Sequence, residues 1–405
     1  MRTRHLLTLL IAFCLYCLVP CHGMSPRRSP ETSKVRVLYI GEPVGIGPYR
    51  FMEQDPFLSM FPVQATTAWY ELEVIRRSLR MYLPRTYAQL TDSHDIIILS
   101  DANRDLFSGQ MLKWFGDGVT EDGMGLVMTG GRESFGAYFG MPDWTPTSVG
   151  DILPVESTRN EKGPTATMDV LRPKNRLIES LPFENIGRHG KFFGYNPVAA
   201  RGGSETLAQL VPDVGGSNPF LVWWDIGEGR SFAMTSDWTP AAANEFLEWE
   251  FYPDYATNLM LFVADLEIPP NPMIVHQIRR TIEDYHLRRD FLLSMIEFVS
   301  RFGANPAEVE EDLRDADSKL DEIDDLYINY DFEPALALAQ ELVDQLEASA
   351  DVAIEMKDQA LIWIYVIEWA AITGTSLVVG GVVWTLMVRK RLYREVGVTR
   401  SSEAS

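Results

Sequence analysis

Residues 125–136 read GLVMTGGRESFG, and how that stretch is parsed decides the fold. A short apolar run stops at Gly130-Gly131, polar residues follow, and a second small apolar cluster begins at Phe135. A buried strand ending on a double glycine is the kind of sharp turn on which α/β enzymes mount a nucleophile. Two further runs have the same character: KVRVLYIG (Lys34–Gly41) and HDIIILSD (His94–Asp101) are compact, β-branched and bounded by turn residues. Between the runs, apolar residues recur at helical spacing from Ala68 to Leu83 and again around Gln110–Phe115. Strands that are apolar throughout, alternating with helices, predict an α/β domain with a parallel sheet flanked by helices. Downstream, NPFLVWWDIGEGRSFAMTSDWTP reads as two strands joined at Gly227-Glu228-Gly229, and a helix near Leu259–Leu266 closes the domain. Pro269, Pro270 and Pro272 mark its end, so the domain is expected over 34–267. The Gly45-x-Gly47 pair lacks a third glycine and is followed by Pro48, so it reads as a turn and not as a dinucleotide site.

Beyond the prolines the pattern changes. Residues 268–357 are expected to form an α-helical stalk, with one long helix over 273–302 and a helical pair over 306–357 broken at NYDFEP (Asn329–Pro334). Leu313, Ala316, Leu320, Ile323 and Tyr327 form one apolar stripe, and Ala339, Leu342, Leu346, Ala350 and Ala353 form its counterpart. Residues 358–388 are long and apolar enough for one transmembrane helix. Trp363, Tyr365 and Trp369 stand at its start, and the basic run RKRLYR (Arg389–Arg394) opens a tail over 389–405. At the other end, Arg2 and Arg4 precede an apolar run from Leu6 to Pro20 and the small residues near Gly23, which reads as a signal peptide over 1–23. A polar Pro/Ser-rich tether over 24–33 follows. An exported start and a basic stop predict a single-pass type I protein of the cell membrane, with most of the chain extracytoplasmic. The bilayer is then an obligate partner. Gly374, Thr375, Ser376, Gly380 and Gly381 would let another membrane helix approach closely.

Composition removes several function classes. The formal charge of −21 opposes nucleic acid, whose phosphates need a basic surface. Cys14, Cys17 and Cys21 are the only cysteines and all lie in the expected leader, which leaves no disulfide, zinc–thiolate site or thiol nucleophile in the mature chain. No motif calls for a cofactor. Asp315-x-Asp317 starts like a calcium loop, but Lys319, Leu320 and Leu326 occupy the positions needing an oxygen ligand, a glycine and a glutamate. His276 and His286 are ten residues apart, not paired for a metal, so no metal site is expected. His94, in a turn-like DSHD, reads as a cap or surface residue, whereas His189 lies in a Gly-rich loop compatible with a role. Asp101 ends one strand and Asp237 follows another. Ligands of parallel sheets collect outside the carboxyl ends of strands, so these two carboxylates could meet a sugar, an amine or a cation there. The alternative is that each simply caps the next helix.

HDIIILSD, GLVMTGGRESFGAYFG, VGDILPVE (Val149–Glu156) and GRSFAMTSDWTPAAANEFLEW (Gly229–Trp249), taken in order, resemble the glutamine amidotransferase-like family. That family is an offshoot of the class I glutamine amidotransferase fold. In working members, the resemblance implies, a Cys stands on the elbow after the strand and a His–Glu pair activates it. Here the elbow carries Gly130, Gly131 and Arg132, and Ala241 follows Pro240 where non-classical relatives often hold His. Both nucleophile and base are missing, so the expectation is a domain that does not catalyse but binds a ligand or acts as a scaffold. The ligand would lie near Asp101, Gly130, Gly131, Ser134 and Asp237, with Ser134 and the backbone N–H groups near Gly131 as a polar cradle for an anion or hydroxyl. One alternative is a membrane-tethered serine hydrolase or amidase using Ser134, which needs His94 or His189 within reach. Another is a subunit of an oligomeric membrane complex organised by stalk and transmembrane helix. The C-terminal segment 357–400 is also similar to the membrane-anchoring ends of archaeal surface proteins.

Overall fold

The computed structural model describes residues 29, 32–42, 45, 47–68, 70–172, 174–301 and 305–402. The expected signal peptide, its three cysteines and seven of the ten tether residues lie outside the described residues. The chain divides into two compact units: the described residues up to Glu283 together with Asp324–Leu336, and a second unit of Asp284–Ile323 with the residues from Ala337 onward.

Eleven strands lie in the first unit. They are β1 Val35–Gly41, β2 Leu58–Gln64, β3 Ile96–Ser100, β4 Gly125–Thr129, β5 Val155–Ser157, β6 Ala166–Val170, β7 Lys191–Phe192, β8 Val198–Ala200, β9 Glu205–Pro212, β10 Asn218–Ile226 and β11 Gly229–Met234. Nine of them form one sheet in the order β2-β1-β3-β4-β11-β10-β9-β6-β7, and β5 pairs with β8 separately. The sheet is mixed, which corrects the expectation of a parallel one. From β2 to β11 every neighbour is parallel, and from β11 to β7 every neighbour is antiparallel. The reason is local. β10 and β11 are joined by the tight turn at Gly227-Glu228, with Gly227 at a φ of +60°, and a two-residue turn can only reverse the chain.

The parallel half is buried on both faces. Leu38, Ile40, Ile97, Leu99, Leu126 and Met128 point to one side, where they meet Ile75 and Leu79 of helix Leu72–Tyr82 and Leu112 and Phe115 of helix Gly109–Thr120. Their neighbours point the other way, where the Phe232 and Phe262 rings approach to 6.2 Å and Tyr255 donates to Met234 Sδ. Helix Tyr252–Val263, every residue of it buried but Pro253, supplies most of that second layer. Burial on both sides is why these strands carry no polar alternation.

β2 is an edge strand. The Val35 N–H donates to the Phe57 carbonyl and the Ala65 N–H to the Gly41 carbonyl, so the odd-numbered residues of β2 face β1 and the even-numbered ones face outward. Pro62 therefore sits where its missing N–H costs the ladder nothing, and it interrupts the free edge.

Helix Pro272–Arg301 begins in the first unit, as does the end of helix Ala307–Ile328. Arg279 ties the former down: its guanidinium reaches Asp55 (2.7 Å), Asp254 (2.8 Å) and Asn258 (3.1 Å). Tyr327 lies 4.6 Å from the Phe57 ring. In the second unit, Arg289 pairs with Asp317 at 2.8 Å and Tyr285 donates to the same carboxylate at 2.6 Å. Helix Phe332–Ser402 runs without interruption from the turn at Tyr330 through the apolar segment, which joins the expected second stalk arm and membrane helix in one rod. The stretch Phe332–Arg391 is long and apolar enough to span a membrane.

Candidate functional site

Four parallel strands end together. After β1 the chain leaves toward β2 on one side, and after β3 it leaves toward β4 on the other, so the winding reverses between the carboxyl ends of β1 and β3. That reversal point is where open α/β sheets take ligands. Glu42 follows β1 directly, Asp101 follows β3, Gly130 and Gly131 follow β4, and Asp237 comes three residues after β11.

The backbone pinches at this point. Gly41 has a φ of +135°, and a Cβ there would lie 1.8 Å from the Ser100 carbonyl oxygen. The Glu42 N–H donates to that same oxygen at 3.0 Å. Gly131, at a φ of +153°, lies against Asp101 so closely that a Cβ would come within 2.4 Å of Oδ1. Asp101 itself adopts a φ of +50° without being glycine. Such a conformation costs about 1–3 kcal/mol and persists only where the surroundings impose it. Here its carboxylate Oδ1 accepts the Glu133 N–H at 2.5 Å, which fixes it across to the β4 turn.

Glu42, Asp101 and Asp237 are all buried, between 3% and 6% exposed. Ser100 Oγ donates to Glu42 at 2.8 Å and in turn accepts the Trp238 indole N–H at 2.8 Å. Thr239 donates its N–H to Asp237 Oδ1 at 2.9 Å and its hydroxyl to Oδ2 at 2.7 Å, while lying 3.5 Å from Glu42. Burial drives all three carboxyls upward from the usual range, and their mutual repulsion adds to it at Glu42 and Asp101. Asp101 is pushed up to about 8, chiefly by burial, although the Glu133 hydrogen bond opposes the shift. Arg132 and Lys162 are the cations that moderate Asp101 and Asp237. Tyr39 and Trp238 are both fully buried, with their ring centroids 6.3 Å apart and 7° from parallel. Burial, reinforced by the carboxylates, also raises Tyr138 above the usual phenol range. Among the described residues no three His, Cys, Asp or Glu side chains are arranged to hold a metal ion.

The cluster brings together Asp101, Asp237 and the Gly130-Gly131 turn, as read from the sequence. Neither aspartate is a helix cap: Thr239 is the residue before helix Pro240–Leu247, and Asn103 caps the short turn after Asp101. The anion cradle does not form. Gly130 N–H donates to the Met234 and Ser236 carbonyls, Gly131 N–H to Asn196 Oδ1 at 2.9 Å, and Glu133 N–H to Asp101. Amides already satisfied by protein acceptors, beside three carboxyls, offer an anion nothing. Ser134 is 1% exposed, and its carbonyl accepts from Asn196 Nδ2 at 3.0 Å. Among the described residues no histidine is hydrogen-bonded to its hydroxyl. His94 stands at the amino end of β3, a strand length of roughly 16 Å from the carboxyl edge. The His189 Nδ1 N–H donates to the Glu245 carbonyl at 2.8 Å, and His276 binds Asp254.

Four side chains in and around the cluster escaped the sequence. Glu42 could have been found by the rule that found Asp101, since it also follows an apolar strand, but the Gly/Pro-rich segment after it read as loop. Tyr39 read only as core. Glu133 was passed over although it adjoins Ser134; its carboxylate accepts from Thr67 N–H, the Thr67 hydroxyl and Asn103 Nδ2, so it braces the turn. Asn196, which clamps both Gly131 and Ser134, carries no local signal at all.

A family model described as "putative glutamine amidotransferase" matches residues 76–264. No curated protein matches the chain. Among solved structures, two cytoplasmic proteins of Salmonella typhimurium are similar over 56% of this chain. One is 19% identical with a TM-score of 0.45 over 98% of its own length. The other is 21% identical with a TM-score of 0.44 over 99%. A β-galactosidase from Rahnella sp. R3 is 13% identical over 57% of this chain and 31% of the enzyme, with a TM-score of 0.34.

Proposed function

We propose that this chain is a membrane-anchored binding module of amidotransferase-like fold that holds a small amine-bearing ligand and does not turn it over. The observation that carries the reading is the concentration of Glu42, Asp101 and Asp237 at the point where the strand order reverses, each buried and together outnumbering the cations beside them. Buried carboxyls are costly unless protonated or paired, so a ligand that brings a positive charge is favoured there. The absence of a cysteine after position 21 and the distant histidines argue against acyl transfer. The apolar helix followed by Arg389, Lys390 and Arg391, together with the leader-like start, supports a type I anchor that leaves the α/β unit outside the cytoplasm.

The test is a thermal-shift screen of the full chain in zwitterionic nanodiscs against primary, secondary and quaternary amines, each with its matched alcohol. At least one amine should raise the unfolding midpoint, and that rise should disappear in Asp101→Ala and in Asp237→Asn. If the alcohols and polyols stabilise equally well, the site recognises hydroxyl groups and the amine reading is wrong.

A further inference from the structure

In the first unit, edge strand β2 and helix Leu72–Tyr82 border a groove of about 900 Å³. That volume is within the range of small-molecule sites. Phe61, Val74, Met81 and Tyr82 line it, each between 43% and 61% exposed, which is an unusual grouping of large apolar side chains in water. Arg77 is the one lining side chain with a fixed charge, and no aspartate or glutamate lines the groove. In a chain whose formal charge is −21, an acid-free depression carrying an arginine is a place suited to an anionic group. Among the described residues Arg77 has no ion-pair partner, whereas Arg76 beside it pairs with Glu73 at 3.2 Å. His94 closes one end, 6% exposed and edge-on to Phe61 at 5.1 Å, with Nδ1 lacking any hydrogen-bond partner. Burial pushes this imidazole down to about 4, so it is a neutral polar group at the groove wall and not a second charge.

The edge of β2 argues against an added strand as the occupant. Of its outward-facing positions Leu58 already gives its N–H to the Asp55 carbonyl, which leaves Met60, Pro62 and Gln64; Pro62 has no N–H to give, so a pairing peptide would lose the central bond of the three. A second copy would bring Arg77 against its own kind if it used the same face. A compact ligand with an apolar body and one anionic group meets neither objection.

We propose that this groove binds a small amphiphilic carboxylate, with the acid group on Arg77 and the apolar body across Phe61, Val74, Met81 and Tyr82. The site is separate from the carboxyl cluster and takes a ligand of the opposite charge. The probe is 4-phenylbutyrate, with 4-phenylbutylamine as its charge-reversed control. The full chain, carrying ¹³C-methyl methionine in zwitterionic nanodiscs, is titrated with each, and partition into empty nanodiscs is subtracted. The Met81 methyl resonance should move saturably with the carboxylate and stay still with the amine. Arg77→Glu should weaken the carboxylate about tenfold or more, with the resonances of the buried Met128 and Met234 unmoved to show an intact core. A Met81 signal that ignores the carboxylate, follows both probes alike, or is indifferent to Arg77→Glu overturns the proposal. So does one that shifts with protein concentration alone, since the groove would then be covered by a second copy.

Discussion

Asp101 combines three costs that a residue rarely bears together: a φ of +50°, burial to 5%, and neighbouring carboxyls. Its acidity follows, and so does a stability effect of definite sign. With a folded value near 8 against an ordinary one near 4, the native state holds a proton that the unfolded chain gives up. The stabilisation from that proton is complete below about pH 4 and is lost as pH rises through about 8, with a slope of up to about 1.4 kcal/mol per pH unit. Asp101→Asn keeps the oxygen that accepts the Glu133 N–H but cannot ionise. Denaturant unfolding from pH 5 to pH 9 should show the variant gaining on the wild type by about 1–3 kcal/mol as pH rises; a constant difference would contradict the assignment. At this scale the sequence was half legible. Asp101 and Asp237 could be placed because each follows a recognisable strand. Asn196, which holds the Gly131 turn from 65 positions away, could not, because nothing in its neighbours distinguishes it.

Elements were legible where burial makes them uniform. β1, β3, β4 and β11 are apolar enough to read directly, and the long helices show their stripes. β6, β7 and β9 were missed because β6 and β7 are only five and two residues long and the pairing of all three depends on partners distant in sequence. β2 was hidden by Pro56 and Pro62, and helix Tyr49–Gln54 by the glycines before it. The domain boundary read from three prolines also stops short of what packs. Helix Pro272–Arg301 starts there, yet its first turns belong to the α/β unit because Arg279 is buried between Asp55 and Asp254. Removing one member of such a group strands the others without a counterion. Arg279→Leu should therefore cost about 3–5 kcal/mol, read as a fall in unfolding midpoint of at least several degrees. Adding Asp55→Asn should recover part of it, and a loss under 1 kcal/mol would mean that the seam is not held by this pair.

The whole molecule places two kinds of surface on one chain. One apolar helix is fit to enter a bilayer, and the rest carries the acidic excess that keeps a protein solvated. Composition made both legible, but it could not show that three acids are withdrawn from water at one end of the sheet. That withdrawal is the centre of the account. An ammonium group placed among Glu42, Asp101 and Asp237 stabilises their ionised forms, so binding must expel a proton that the free protein retains at neutral pH. The direct measurement is titration calorimetry at pH 7 with the best amine from the screen, repeated in buffers of different ionisation enthalpy. Release of about one proton per ligand bound is predicted from the raised acidity constant of Asp101. Binding with no proton exchange, or with proton uptake, would contradict it.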